Sequence, residues 1–237
     1  GAGGDYASGS RDIALAIWPY NWMDEVDYKS GRSKTNAYVV GDISFMGSSS
    51  TTNGYTGYYG VLKHGVPGFI SEGFFHTYHP ARHRALNEDF CAQEGVRLAR
   101  GLLNPETTGY IMGTVKDKSQ SVSHTYYQNA KGDDIYLPVN GAMVTLYKGE
   151  DFVASYKVDQ NYNGIYVFEN LEPAADYYIS VKADGYANLE RSGPYTVTAN
   201  ETTYPRLYLT AGNAQDLGVA DLALNNPEAF KAIVEKV

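Results

Sequence analysis

Little in the 237-residue chain can staple, span or neutralise. A single cysteine, Cys91, excludes an internal disulfide framework. Charged residues make up only 19% of the chain; 27 acidic residues outnumber 19 Lys and Arg, for a net charge of −8 with no basic stripe. A phosphate backbone requires clustered cations, so no nucleic-acid partner is expected. No apolar run approaches the ~20 residues of a membrane-spanning helix. Neither Met nor a signal-type apolar segment opens the chain at Gly1-Ala-Gly-Gly4, so a processed, trimmed or engineered start is expected, its targeting segment gone. What is abundant is glycine, at 25, and tyrosine, at 22. That composition suits extracellular β-structure or carbohydrate contact better than a cytosolic helical protein.

The charge deficit is uneven, −1 over 1–104 and −7 over 105–237, and the residue pattern changes at the same point. Ser8 to Trp18 reads as a helix capped by Ser8 or Ser10, with Ile13, Ala14, Ile17 and Trp18 at helical spacing and Pro19 ending it. Ala37–Phe45 reads as a strand, Gly47–Gly57 as a loop and Tyr58–His64 as a short helix. Phe69–Ser71 is a short apolar strand that ends in Glu72. Arg82 to Leu103 reads as one helix, with Ala85, Ala92, Val96, Ala99 and Leu103 on its buried face and Cys91, Leu98 and Leu102 flanking them. Asp89, Gln93, Arg97 and Arg100 take the other face, and the small buried residues imply close approach to a sheet. Residues 1–104 thus read as part of an α/β unit, and 105–108 as a linker.

From 109 to 212 short β-rich runs alternate with turns: Tyr110–Val115, Ala142–Tyr147, Val153–Val158, Ile165–Phe168, Tyr177–Ala183, Tyr195–Thr198 and Arg206–Leu209. Seven strands at this spacing predict an antiparallel β-sandwich. The insertion Lys116–Pro138 is long for a sandwich loop, either functional or merely tolerated. Beyond Gly212, Asn226-Pro227-Glu228 would start a terminal helix within 213–237.

Glu72 is the first chemical candidate. A carboxylate at the end of an apolar strand must be solvated, paired or near a metal, so it is either a catalytic or ligand group or an ordinary acid facing water. His76, His79 and His83 have a spacing that could present metal ligands, although Pro80 interrupts it; the plainer reading is helix-capping side chains along a cleft rim. His76 is the one expected to touch substrate. Asp159-Gln-Asn-Tyr-Asn163-Gly164 imitates half of a calcium loop, but Asn170 stands where the closing Glu belongs, and Asn-Gly between apolar runs signals a hairpin turn. Cys91, at the edge of the buried stripe, reads as structural.

The run Tyr58-Tyr-Gly-Val-Leu-Lys-His-Gly-Val-Pro-Gly-Phe-Ile-Ser-Glu-Gly-Phe-Phe75 resembles the last catalytic segment of zinc-dependent N-acetylmuramoyl-L-alanine amidases, with Leu62, Pro67, Phe69-Ile70, Glu72 and Phe75 at the family's positions. The continuation through Asn87 is similar to a branch found in Bacteroides-like bacteria. The resemblance spans about 8–103 and implies a partial amidase-type sheet with flanking helices. It also implies hydrolysis of the muramoyl–L-alanine amide of peptidoglycan by a zinc-activated water, with Glu72 as general base. The family's His, Glu, His zinc ligands come from a segment that would lie upstream of Gly1, since the first histidine here is His64. Residues 109–210 resemble carboxypeptidase regulatory-like (transthyretin-like) modules through Gly113-Thr-Val-Lys-Asp117, Pro138-Val-Asn-Gly-Ala-Met-Val144, Gly164-Ile-Tyr-Val-Phe168, Leu171-Glu-Pro173 and Gly185-Tyr186. Such modules are spacers or adhesion elements. The sequence therefore supports a periplasmic, envelope or secreted amidase; its rival is a non-catalytic surface protein binding glycan or peptide.

Overall fold

The computed structural model describes Ile13 and residues 67–69, 77–103, 107–122, 130 and 132–212. Among the described residues from 77 on, two α-helices, α1 (His79–Arg84) and α2 (Glu88–Leu103), precede nine strands. These are β1 (Gly109–Ser121), β2 (Tyr136–Pro138), β3 (Met143–Lys148), β4 (Asp151–Lys157), β5 (Ile165–Leu171), β6 (Ala174–Lys182), β7 (Leu189–Val197), β8 (Thr202–Thr203) and β9 (Arg206–Leu209). All seven expected strands are present. The added pair, β2 and β8, are too short to leave a period in the sequence.

The strands form two packed sheets. One has the order β4-β3-β6-β7 and is antiparallel throughout. In the other, β1 pairs antiparallel with β5 and β2 but parallel with β8 and β9, which corrects the wholly antiparallel expectation. Parallel neighbours need a long crossover, and the whole of the intervening chain supplies it.

Alternation within the strands builds the core. Val144 and Leu146 of β3 and Ile179 and Val181 of β6 point inward against Ile111, Val115, Leu207 and Leu209, all nearly solvent-free. Strand β1 is buried on both faces, because α2 sets Phe90 against Met112, Ile165 and Val167 on the outer side of its sheet. Glycine is required at Gly164, where φ is +69° and an added Cβ would lie 2.5 Å from the Val115 carbonyl oxygen.

The continuous helix expected over Arg82–Leu103 is broken at residues 85–87. Asn87 is the reason: its side-chain oxygen accepts from the Phe90 backbone N–H at 2.8 Å, an N-cap that starts a new helix. The expected faces hold only in part: Asp89 is exposed as read. Gln93 and Arg100, read as solvent-facing, are buried against the sheet, whereas Cys91, Ala92, Ala99, Leu102 and Leu103 are exposed. Pro67, Gly68 and Phe69 have no regular secondary structure; the rest of the strand leading to Glu72 lies outside the described residues. So do the remaining elements read in 1–66 apart from Ile13, which is helical, and the helix read in 213–237.

Candidate functional site

Glu72 and His76 both lie outside the described residues. The described chain resumes at residue 77, and from there it is bolted to the sandwich. Tyr78 directly precedes α1, whose first turn carries Pro80. The Tyr78 hydroxyl donates to Asp134 at 2.7 Å, and Arg84 at the end of α1 donates to the same carboxylate at 2.9 and 3.4 Å. Lys116 of β1 donates to it at 2.8 Å. Asp134 sits in a single 3₁₀ turn, Gly132–Ile135, within the long insertion, and its side chain is fully buried, as are those of Arg84 and Lys116. Burial alone would raise the Asp134 pKa, but the Arg84 and Lys116 cations hold it below the ordinary carboxylate range.

A second set of polar contacts ties α1 and α2 to the loop between β4 and β5. His83 donates through Nδ1 to the Asn161 carbonyl at 2.8 Å, Asn163 donates to the His83 carbonyl at 3.2 Å, and Asn161 donates to the Leu86 carbonyl at 3.4 Å. Asn87 donates to Asp159 at 3.0 Å and to the Tyr156 hydroxyl at 3.2 Å, and Tyr156 donates onward to Asp89 at 2.7 Å. Burial, reinforced by the Asp89 carboxylate, pushes the Tyr156 hydroxyl up. Further along α2, Gln93 donates to Glu169; Arg100 lies 3.6 Å over the Tyr110 ring and donates to Thr202 at 3.0 Å.

This arrangement settles the use of several sequence candidates. His83 is committed to Asn161 and packs edge-on to Tyr162. Among the described residues no group of three His, Cys, Asp or Glu could hold a metal ion, so these residues do not fit a zinc site. The Asp159 carboxylate is taken by N–H donors from Asn161, Asn163 and Asn87, so it serves as a turn and docking residue. Asn163-Gly164 is nevertheless no hairpin turn, since β4 and β5 belong to different sheets and the loop crosses between them. Cys91 is exposed, and partial desolvation together with the nearby Glu94 carboxylate raises its pKa, which keeps it a poor thiolate.

The residues that the sequence reading missed are Arg84, Lys116, Asp134 and Asn87. A weak signal existed for one of them: Gly132-Asp-Asp134 is an acidic pair inside an insertion too long for its sandwich. Among the described residues, the cleft between Phe90, Met112, Ile165 and Tyr204 is water-sized and has no room for a substrate.

Fold and seam together define a two-sheet β-sandwich with a pair of helices docked on its outer face. No family profile matches the chain, and no curated protein sequence does. Among solved structures it is similar to the Bacillus anthracis TIE protein, at 18% identity and a TM-score of 0.30, over 44% of this chain and 17% of that one. It is also similar to a Bacteroides uniformis protein named a "putative carbohydrate binding protein", at 10% identity and a TM-score of 0.29, over 42% of this chain and 40% of that one. The chain therefore spans well under half the length of both. No described helix is long and apolar enough to cross a membrane.

Proposed function

We propose that the chain belongs to a peptidoglycan amidase of the cell envelope or its exterior, hydrolysing the N-acetylmuramoyl–L-alanine amide bond. The observation that carries this reading is the run Leu62, Pro67, Phe69-Ile70, Glu72 and Phe75, with Glu72 at the position of the family's proton-transferring glutamate. In this role Glu72 takes the proton from the attacking water and returns it to the leaving amine, and His76 contacts the substrate. The resemblance implies zinc, and the described residues offer no donor set for it. The partners implied are the stem peptide and glycan of peptidoglycan.

A second reading is a non-catalytic surface protein that binds glycan or peptide through the sandwich. It is favoured by an aromatic row in register across β4, β3 and β6, in which exposed Phe152 adjoins half-buried Tyr147 and Tyr178 and the Arg191 guanidinium lies 3.6 Å over the Tyr178 ring. One experiment separates the two. In the full-length protein, Glu72→Gln is expected to abolish release of stem peptides from peptidoglycan while zinc content stays unchanged. A wild-type protein that binds peptidoglycan but releases nothing selects the second reading.

A further inference from the structure

We propose that the outer face of the β4-β3-β6-β7 sheet seats a glycan strand bearing carboxylates, laid across the β-strands. That a glycan is bound rests on the readings above; which face binds it, and through which groups, stands on geometry. Inward-facing Val144, Leu146, Ile179 and Val181 leave their alternate neighbours outside, and the register sorts these into three rows. Phe152, Tyr147 and Tyr178 form an aromatic row. Ser155, Thr145 and Ser180 form a hydroxyl row beside it, and Lys157, Met143 and Lys182 form the last. The helices dock on the other sheet, so among the described residues no helix covers this face, and Phe152 is 63% exposed.

The rings are held before any ligand arrives. Tyr147 and Phe152 meet edge to face with centroids 6.4 Å apart, and the Arg191 guanidinium closes one side of Tyr178 at 3.6 Å. Arg191 is itself fixed, by the Gly149 carbonyl at 3.0 Å and by Glu150 at 3.1 Å. Rings already ordered cost little to order on binding. An aromatic ring is negative on its face, which attracts the polarised C–H groups on the apolar side of a sugar ring, and the adjacent hydroxyls can bond the sugar's own. An apolar protein partner would meet only one row of rings here, backed by hydroxyls and cations rather than further apolar side chains.

Charge selects among glycans. Among the described residues Lys157 and Lys182 make no ion pair, whereas Lys148 and Arg191, beside the aromatic row, are taken by Glu172 and Glu150. They are two free cations on a chain of net charge −8, on strands that flank β3. Two strand spacings put them roughly 10 Å apart, at about 4.8 Å per strand. That is close to one disaccharide of an extended glycan, so a carboxylate on every second sugar can meet both. On the amidase reading such a strand is the product, since hydrolysis frees the lactyl carboxylate of each muramoyl sugar. The sandwich then holds the enzyme on the strand it has stripped.

The test uses the full-length protein and two soluble probes. Peptide-free peptidoglycan strands carry free lactyl carboxylates; chito-oligosaccharides share the N-acetylated sugar backbone without them. Titration calorimetry is expected to show tighter binding of the acidic strand, with a salt dependence that the neutral one lacks. Phe152→Ala combined with Tyr147→Ala is expected to weaken both roughly tenfold. If that double variant does not fold, Phe152→Ala alone, at the most exposed of these positions, is expected to weaken both about threefold. Lys157→Gln combined with Lys182→Gln is expected to weaken only the acidic strand, down to the affinity of the neutral one. Wild-type affinity in a folded aromatic variant overturns this seat while leaving glycan binding in place. Equal wild-type affinity for the two probes overturns the selection for carboxylates. A dimer that Phe152→Ala dissociates assigns the face to a second copy and overturns the proposal as well. A wild-type protein that binds neither probe contradicts the glycan-binding reading itself, and this seat with it.

Discussion

Between the two sheets, Val144, Leu146, Ile179 and Val181 face Ile111, Val115 and Leu207, and hydrophobic side chains dominate the contact. Between α1–α2 and the outer side of the β1 sheet, the buried side chains are instead Arg84, Asn87, Gln93, Arg100, Lys116 and Asp134, with a small apolar cluster around Phe90. The first interface can tolerate exchange of one hydrophobic residue for another of similar size. The second cannot, because each buried donor or acceptor left alone carries its full desolvation penalty. The core makes the sandwich fold; the seam fixes how the preceding segment meets it.

The largest effects should therefore come from unpairing the seam. Asp134→Ala strands two buried cations and is expected to destabilise by about 3–5 kcal/mol. Ile179→Ala in the core should cost about 2–5 kcal/mol. Denaturant unfolding of both variants checks the comparison: an Asp134→Ala loss well below that of Ile179→Ala would make the seam peripheral.

The seam should also be the more acid-sensitive of the two. Because the folded state holds the Asp134 pKa below its unfolded value of about 3.9, its contribution is complete above that value and is lost as pH falls through the lower, folded one. The stability gap between wild type and Asp134→Asn should accordingly be constant above about pH 5 and shrink on acidification. The gap between wild type and Ile179→Ala should not change with pH. Stability curves of the three proteins across this range measure both.

How far each interface could be read beforehand follows from the same contrast. Apolar residues recur at every second position in β3 and β6, so Ala142–Tyr147 and Tyr177–Ala183 were legible. The direction of β9 was not, since parallel pairing with β1 depends on where the chain goes in between. In α2, the apolar moment pointed to Ala92 and Ala99, yet the buried side is that of Gln93 and Arg100. Hydrophobicity identifies a buried face only when the partner surface is apolar, and here it supplies Glu169, Thr202 and the ring of Tyr110. Asp134 was illegible for a related reason: its partners lie 18 to 56 residues away and share no local pattern with it. Glu72, by contrast, was singled out through its neighbours in sequence alone, and it lies outside the described residues.

The smallest effect sharpens the comparison from the other side. Lys148 and Glu172 make a 2.9 Å ion pair at the surface, and the Glu172 side chain is largely exposed. Removing it with Lys148→Met should leave the thermal midpoint where it was, because solvent screens such a pair. A clear loss there would mean that burial is not what separates the Asp134 cluster from ordinary surface charge.

The contact between Arg84 and Asp134 joins the two regions, and a double-mutant cycle with Arg84→Met and Asp134→Leu measures it most directly. If the helices are clamped to the sandwich through this pair, the coupling energy should exceed about 1 kcal/mol, even though Lys116 keeps no carboxylate partner in the double variant. Additive losses, with a coupling of no more than a few tenths of a kcal/mol, would contradict the clamp.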